Sequence, residues 1–364
     1  MGQIQDQYII GKKYSVEDEI LLLNPLTTPL LSLLGMSEAV TNTKHEWIED
    51  EMFAQESKTT AGYIDSDTDI AVADIEPFRV EQIIQINDEL LKVTAINAGT
   101  NTLTVERGHA GTTASAIDSG DIVKAMFVEG IEGRDARDSR YKPRAWKENY
   151  TQIFDDSIRI SGTAEAVLQH GIANEYEKEK QKKLQELALQ LENALINGIP
   201  YNNGDRRLMG GVRHFVNTNI VDASGHAGDI LDMLNDLAQN IYETGGFKTG
   251  GRYYIMVGAK QKREISKYAS DSITLERRDD TRGQRVDNIL TDFGAFPVII
   301  NNNLKSDELF LVDANRMAIK PLRTRNFMHE FLGKKGDYTE GMIVGEYTFE
   351  FTQEKAHGRI MKLS

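Results

Sequence analysis

The sequence predicts an α+β chain in which two mixed α/β bodies are linked by one long helix. Three patterns carry that prediction. Residues from about 78 to 125 alternate apolar and polar side chains between closely spaced turn residues, as a half-buried antiparallel sheet does. Residues 173–197 switch to three- and four-residue spacing. Beyond about 205, amphipathic helices and short apolar strands take turns.

The first 45 residues read as an arm. Leu21, Leu22, Leu23, Leu26, Leu30, Leu31, Leu33 and Leu34 are interrupted by Pro25 and Pro29. Proline fixes φ and pushes the preceding residue toward extended geometry, so these leucines cannot be buried as one helix. They pack on a neighbouring subunit or form a lid on the chain's own core.

In the β-module, Ile83-Ile84-Gln85-Ile86 meets the turn dipeptide Asn87-Asp88, and Leu91, Val93 and Ala95 continue the alternation. A second turn at Asn97-Ala98-Gly99 leads to Leu103 and Val105. This predicts a small antiparallel barrel or sandwich. Leu184, Leu187, Ala188, Leu191, Ala194 and Leu195 form the stripe of the long helix, which Gly198 and Pro200 end. At about 1.5 Å per residue it runs ~35–40 Å. A helix at Ile230–Ile241, a strand at Tyr253–Val257 and a helix at Ala259–Ala269 follow. Further strands are predicted at 286–291, 297–300, 309–312 and 341–351.

Composition excludes several kinds of chemistry. Without cysteine there are no disulfides, thiolate metal sites or cysteine nucleophiles. A net charge of −14 argues against phosphate gripping as the main task. The opening Met1-Gly2-Gln3-Ile4-Gln5-Asp6 lacks a signal-peptide pattern, and 20–36 is too short and proline-broken to cross a bilayer. A soluble, cytosolic chain is expected, with no membrane partner. The seven histidines show no His-Glu-x-x-His spacing, and neither a phosphate loop nor a Gly-x-Ser-x-Gly elbow is present. Asp65, Asp67, Asp69 and Glu76 match part of a calcium loop, but Ile70 stands where glycine is required. A solvated acidic loop is expected there. No catalytic residue, metal ligand or cofactor is predicted, so the chain is not expected to be an enzyme. Arg263, Lys267, Arg277, Arg278, Arg282 and Arg285 cluster among acids. They read as inter-subunit salt-bridge partners, ahead of contact with DNA.

Several stretches, in order along nearly the whole chain, resemble a family of tailed-phage major capsid proteins. They are Asn24-Pro25-Leu26-Thr27-Thr28-Pro29-Leu30 with Gly35, and Thr43-Lys44-His45-Glu46-Trp47-Ile48-Glu49-Asp50. Thr151-Gln152-Ile153-Phe154 and Ile160-Ser161-Gly162-Thr163-Ala164 follow, then Leu187 to Leu195 with Glu192 inside. Gly336-Asp337, Val344-Gly345-Glu346-Tyr347-Thr348-Phe349-Glu350 and Ala356-His357-Gly358 close the set.

The resemblance implies the Hong Kong 97-type capsid fold. On that reading residues 1–45 are the N-terminal arm. Residues 46–160 are an extended loop carrying an inserted all-β module at about 66–128. Residues 161–204 hold the spine helix of the peripheral domain, 205–325 the axial domain, and 326–364 the C-terminal strands of the peripheral domain. Copies of the chain would form hexamers and pentamers of an icosahedral head around double-stranded DNA, with portal, scaffolding and decoration proteins as partners. The head would be assembled in the host cytoplasm. Candidate inter-subunit contacts are Leu26, Pro29, Leu30, Trp47, Glu49, Asp50, Arg277 and Arg278. Competing readings are an encapsulin-type compartment, a carbohydrate- or receptor-binding protein, and a metal hydrolase using Asp65, Asp67 and His45.

Overall fold

The long helix of the computed structural model runs Glu175–Asn197 and starts on Asn174, whose side chain accepts the Glu177 N–H at 3.2 Å. The described residues are 28–133, 135–166, 174–225, 228–247, 251–272, 277–278 and 286–363. The expected helix start at Ala173 lies outside them. Leu187, Leu191, Leu195 and Ile196 are buried, and so is Glu192 in the same stripe. Gly198 ends the helix where another segment meets it backbone to backbone. A Cβ on Gly211 would strike the carbonyl oxygens of Ala194 and Leu195 at 2.6 Å.

The chain divides into two units, Ile48–Ala145 and the remainder. In the remainder, four strands form one sheet around the fourteen-residue strand Tyr338–Phe351. Met328–Gly336 and Gln152–Ser161 flank its first half, and Met317–Pro321 pairs with its second, all antiparallel. The helix packs on this sheet through Phe154, Ile158, Ile343, Tyr347 and Phe349. The expected strand at 341–351 is therefore longer at its start, because the hairpin with 328–336 extends it.

A second, seven-stranded sheet has the order 220–222, 358–361, 309–313, 253–257, 294–300, 286–291 and 277–278. Helix Ile230–Glu243 covers it with Met233, Leu234, Leu237 and Ile241, as its spacing predicts. Sheet membership follows its own order along the chain. Met317–Pro321 belongs with the first sheet, and Gly358–Met361 crosses back into the second. Such exchanges rest on long-range pairing, which local periodicity does not register.

Within Ile48–Ala145 six short strands run antiparallel in the order 56–58, 122–128, 82–86, 89–97, 102–106 and 69–71. An antiparallel bridge between Thr59 and Val72 joins the two outer strands, closing the sheet into a barrel. Ile70, Ile84, Ile86, Leu91, Val93, Leu103, Val105, Ile117 and Val123 fill it. Asn87 takes φ +53° in the turn the sequence marks.

Candidate assembly surface

The described residues contain no group of three His, Asp or Glu placed to hold a metal, and no helix long and apolar enough to cross a membrane. The acidic loop turns inward on itself. Asp67 accepts the Ile64 N–H at 2.8 Å and Asp69 accepts the Thr104 hydroxyl at 2.8 Å. Burial pushes the His357 imidazole down to about 3, so it stays neutral and its Nδ1 accepts the Asp313 N–H at 3.2 Å. It is a core residue. His170 and His226 lie outside the described residues.

What the fold does build is a set of buried and half-buried carboxylates that pin distant segments. Glu192 reaches from the long helix to the helix Pro29–Leu34. Its Oε1 accepts the Leu30 N–H at 2.9 Å, and its Oε2 accepts the Leu31 N–H at 2.8 Å. Asn301 Nδ2 donates to Oε1 at 2.6 Å. Pro29, in the first turn, has no N–H to satisfy, and the Ser32 N–H finds the Thr28 carbonyl. Every early donor of that short helix therefore has its place. Among the described residues no charged side chain pairs with Glu192, and burial pushes its carboxyl above the usual range.

Glu346 collects the Thr151 hydroxyl at 2.6 Å, Arg325 at 3.0 Å and Arg207 at 3.1 Å. Glu308 holds Arg213. Glu350 lies 2.5 Å from His45 Nε2 and 2.6 Å from Lys320 Nζ. The His45 hydrogen bond, working with Lys320 against burial, holds the Glu350 carboxyl down at about 2. His45 sits on Lys44–Glu49, which pairs with Ala145–Tyr150. The Thr151 N–H donates to the Thr43 carbonyl at 2.8 Å beside them. The strand that leads out of the larger unit is thus tied to the one that leads back.

The sequence candidates fall in different places. Leu26 lies outside the described residues. Pro29 and Leu30 are buried, and Leu30, 1% exposed, joins the chain's own core. Leu31, Leu33 and Leu34 are partly buried against the same core. Trp47 is buried, with its ring centroid 6.0 Å from that of Phe215, edge to face. Glu49 ends its strand, and the exposed Asp50 pairs with Arg144 at 3.0 Å. Arg277 and Arg278 form a two-residue outer strand against Val286 and Asp287.

Sequence reasoning missed the hairpin of Tyr201–Asn203 with Arg206–Leu208. Only Asn203-Gly204-Asp205, a turn signal, could have marked it.

Residues 3–364 match the family described as SU10 major capsid protein. No curated protein matches the chain. Among solved structures, the capsid asymmetric unit of cyanophage A-1(L) is similar over 97% of both chains, at 9% identity and a TM-score of 0.54. A chain of Microbacterium phage Oxtober96 is similar over 97% of this chain and 96% of that one, at 10% identity and a TM-score of 0.51. The holo-SrpI encapsulin complex from Synechococcus elongatus PCC 7942 is similar over 60% of this chain and 76% of that one, at 10% identity and a TM-score of 0.44. A match over nearly the whole length, on the Hong Kong 97-type fold, settles what the pinned segments belong to: the chain is a shell-forming component of a virion and belongs to the SU10 major capsid protein family.

Proposed function

We propose that copies of this chain form the hexamers and pentamers of an icosahedral head that encloses double-stranded DNA. The observation that carries this is the family match over residues 3–364. The net charge of −14 supports enclosure without specific grip on the nucleic acid. In this reading residues 1–45 are the arm and 46–160 the extended loop, with a β-module at about 66–128. The long helix and the sheet around Tyr338–Phe351 are the peripheral domain, and the seven-stranded sheet is the axial domain. Leu26 and Asp50 contact neighbouring copies, as do Arg277 and Arg278. Portal, scaffolding and decoration proteins complete the head in the host cytoplasm, and the chain has no catalytic activity of its own.

Negative-stain microscopy of the purified protein tests the reading. Closed shells with five- and six-fold clusters are expected, and particles no larger than a few subunits under all assembly conditions would refute it. Truncation before Thr28 spares the helix Pro29–Leu34. The truncated subunit should stay folded and soluble yet form no shells. Normal shells from it would remove the arm from assembly.

A further inference from the structure

Beyond the long helix the chain turns a small hairpin in which Tyr201 faces Leu208 and Asn203 faces Arg206. Gly204, at φ +67°, and Asp205 make the two-residue turn, with glycine where the left-handed residue falls. Every hairpin residue except Arg207 is exposed. Tyr201 is 49% exposed and Leu208 45%, with Ile153 at 42% and Ile199 at 68% nearby in the chain or in space. Isolated exposed apolar residues are ordinary, but four on and around one protrusion mark a surface that something covers.

The hairpin and Ile153 line a cleft of about 360 Å³. Arg207 is already held by Glu346 at 3.1 Å. Its neighbours Asp205 and Arg206 also line the cleft, and neither has an ion-pair partner among the described residues. A patch with apolar residues and one free charge of each sign is complementary to itself. When a second copy presents the same patch, Asp205 of one can meet Arg206 of the other, and the reverse.

We propose that the hairpin at residues 201–208, with Ile153 and Ile199, is a contact surface between two copies of this chain, paired through Asp205 and Arg206. The proposal rests on the shell reading and adds to it one specific contact. The partner is committed by chemistry: a purely acidic or purely basic partner would leave one of the two free charges facing its own sign.

Charge reversal in the full-length chain tests this. Asp205→Arg carries two positive charges on the patch and Arg206→Asp two negative ones. Each variant should keep the wild-type circular dichroism spectrum, because both positions are exposed, and each should form shells at about a tenth of the wild-type yield or less. Mixing the two variants in equal amounts should restore shells, since unlike patches then meet. The double variant with both substitutions should also assemble, since its reversed pair still matches itself. Wild-type yields from both single variants would overturn the contact and leave the shell reading standing. Loss in the single variants with no rescue by the mixture or the double variant would also overturn it, assigning the hairpin to a partner of a different kind.

Discussion

Glu89 in the barrel of Ile48–Ala145 and Glu192 in the larger unit are buried carboxylates held in opposite ways. In the barrel, Glu89 accepts Arg107 Nε at 2.8 Å and Nη2 at 2.7 Å, with the Gly108 N–H at 2.9 Å. Burial pushes Glu89 up, but Arg107 and the backbone donors outweigh it and hold the carboxyl below its usual range. In the larger unit Glu192 has neutral donors alone, and burial prevails. A charge paired with a charge serves the unit's own stability. One held by the backbone N–H groups of a distant segment serves position, fixing where Pro29–Leu34 lies at some cost in stability.

Removing Arg107 should be the strongest test of that contrast. Arg107→Ala leaves Glu89 buried without its partner, and also frees the Ile64 and Asp67 carbonyls that Arg107 holds at 2.8 and 3.0 Å. A loss of about 3–5 kcal/mol is expected in the barrel's transition during chemical denaturation. The transition of the larger unit should not move. An equal shift in both would show that the two units do not unfold separately.

Gly211→Ala is the counterpart in the larger unit. Its Cβ would press on two helix carbonyls that have little room to retreat. A loss of about 1–3 kcal/mol confined to that unit is expected, read by the same titration. Wild-type stability would mean that the helix end and its neighbour can part freely.

The pH response should separate Glu89 from Glu192 by sign. The folded value of Glu89 is lowered, so its contribution stands above the unfolded carboxylate value of about 4.3 and is lost as pH falls through the folded value. The folded value of Glu192 is raised, so its contribution is whole below about 4.3 and is lost as pH rises through the folded value. Lowering the pH from neutral to about 5 should therefore raise the denaturation midpoint of the larger unit in wild type relative to Glu192→Gln. Over that range Glu89 should leave the barrel unchanged. Parallel curves for wild type and Glu192→Gln would remove Glu192 from the response.

The smallest effect is expected at Asp50. Its pair with Arg144 is exposed on both sides, so Asp50→Asn should change subunit stability by less than about 1 kcal/mol. A clear drop in shell yield without that loss would place Asp50 in a contact between copies.

These regions also differ in how far they were legible. Ile84, Ile86, Leu91, Val93, Leu103 and Val105 alternate with polar neighbours inside one short stretch, so the barrel announces itself locally. The strand Gln152–Ser161 carries Asp155 and Arg159 outward, and its place comes from pairing with Tyr338–Phe351, far away in sequence. The burial of Leu30 depends on Glu192, 162 residues further along. A lone glutamate within the stripe of Leu187, Leu191 and Leu195 was the one local sign of that tie. The hairpin at 201–208 is too short for periodicity to register, and its apolar residues read as scattered until the fold sets them around one cleft.

The tie between the outgoing and returning strands has a consequence for how such a gene can change. Thr43 and Thr151 are held together by their own backbone, and Lys44 reaches Glu148 across the same join. None of these residues belongs to the barrel's core. A crossover at Trp47 and Trp146 would exchange a complete folding unit and leave both cores of the larger unit with their residues intact. The join is thus a cassette boundary, where recombination can trade one module for another without redesigning the framework that carries it.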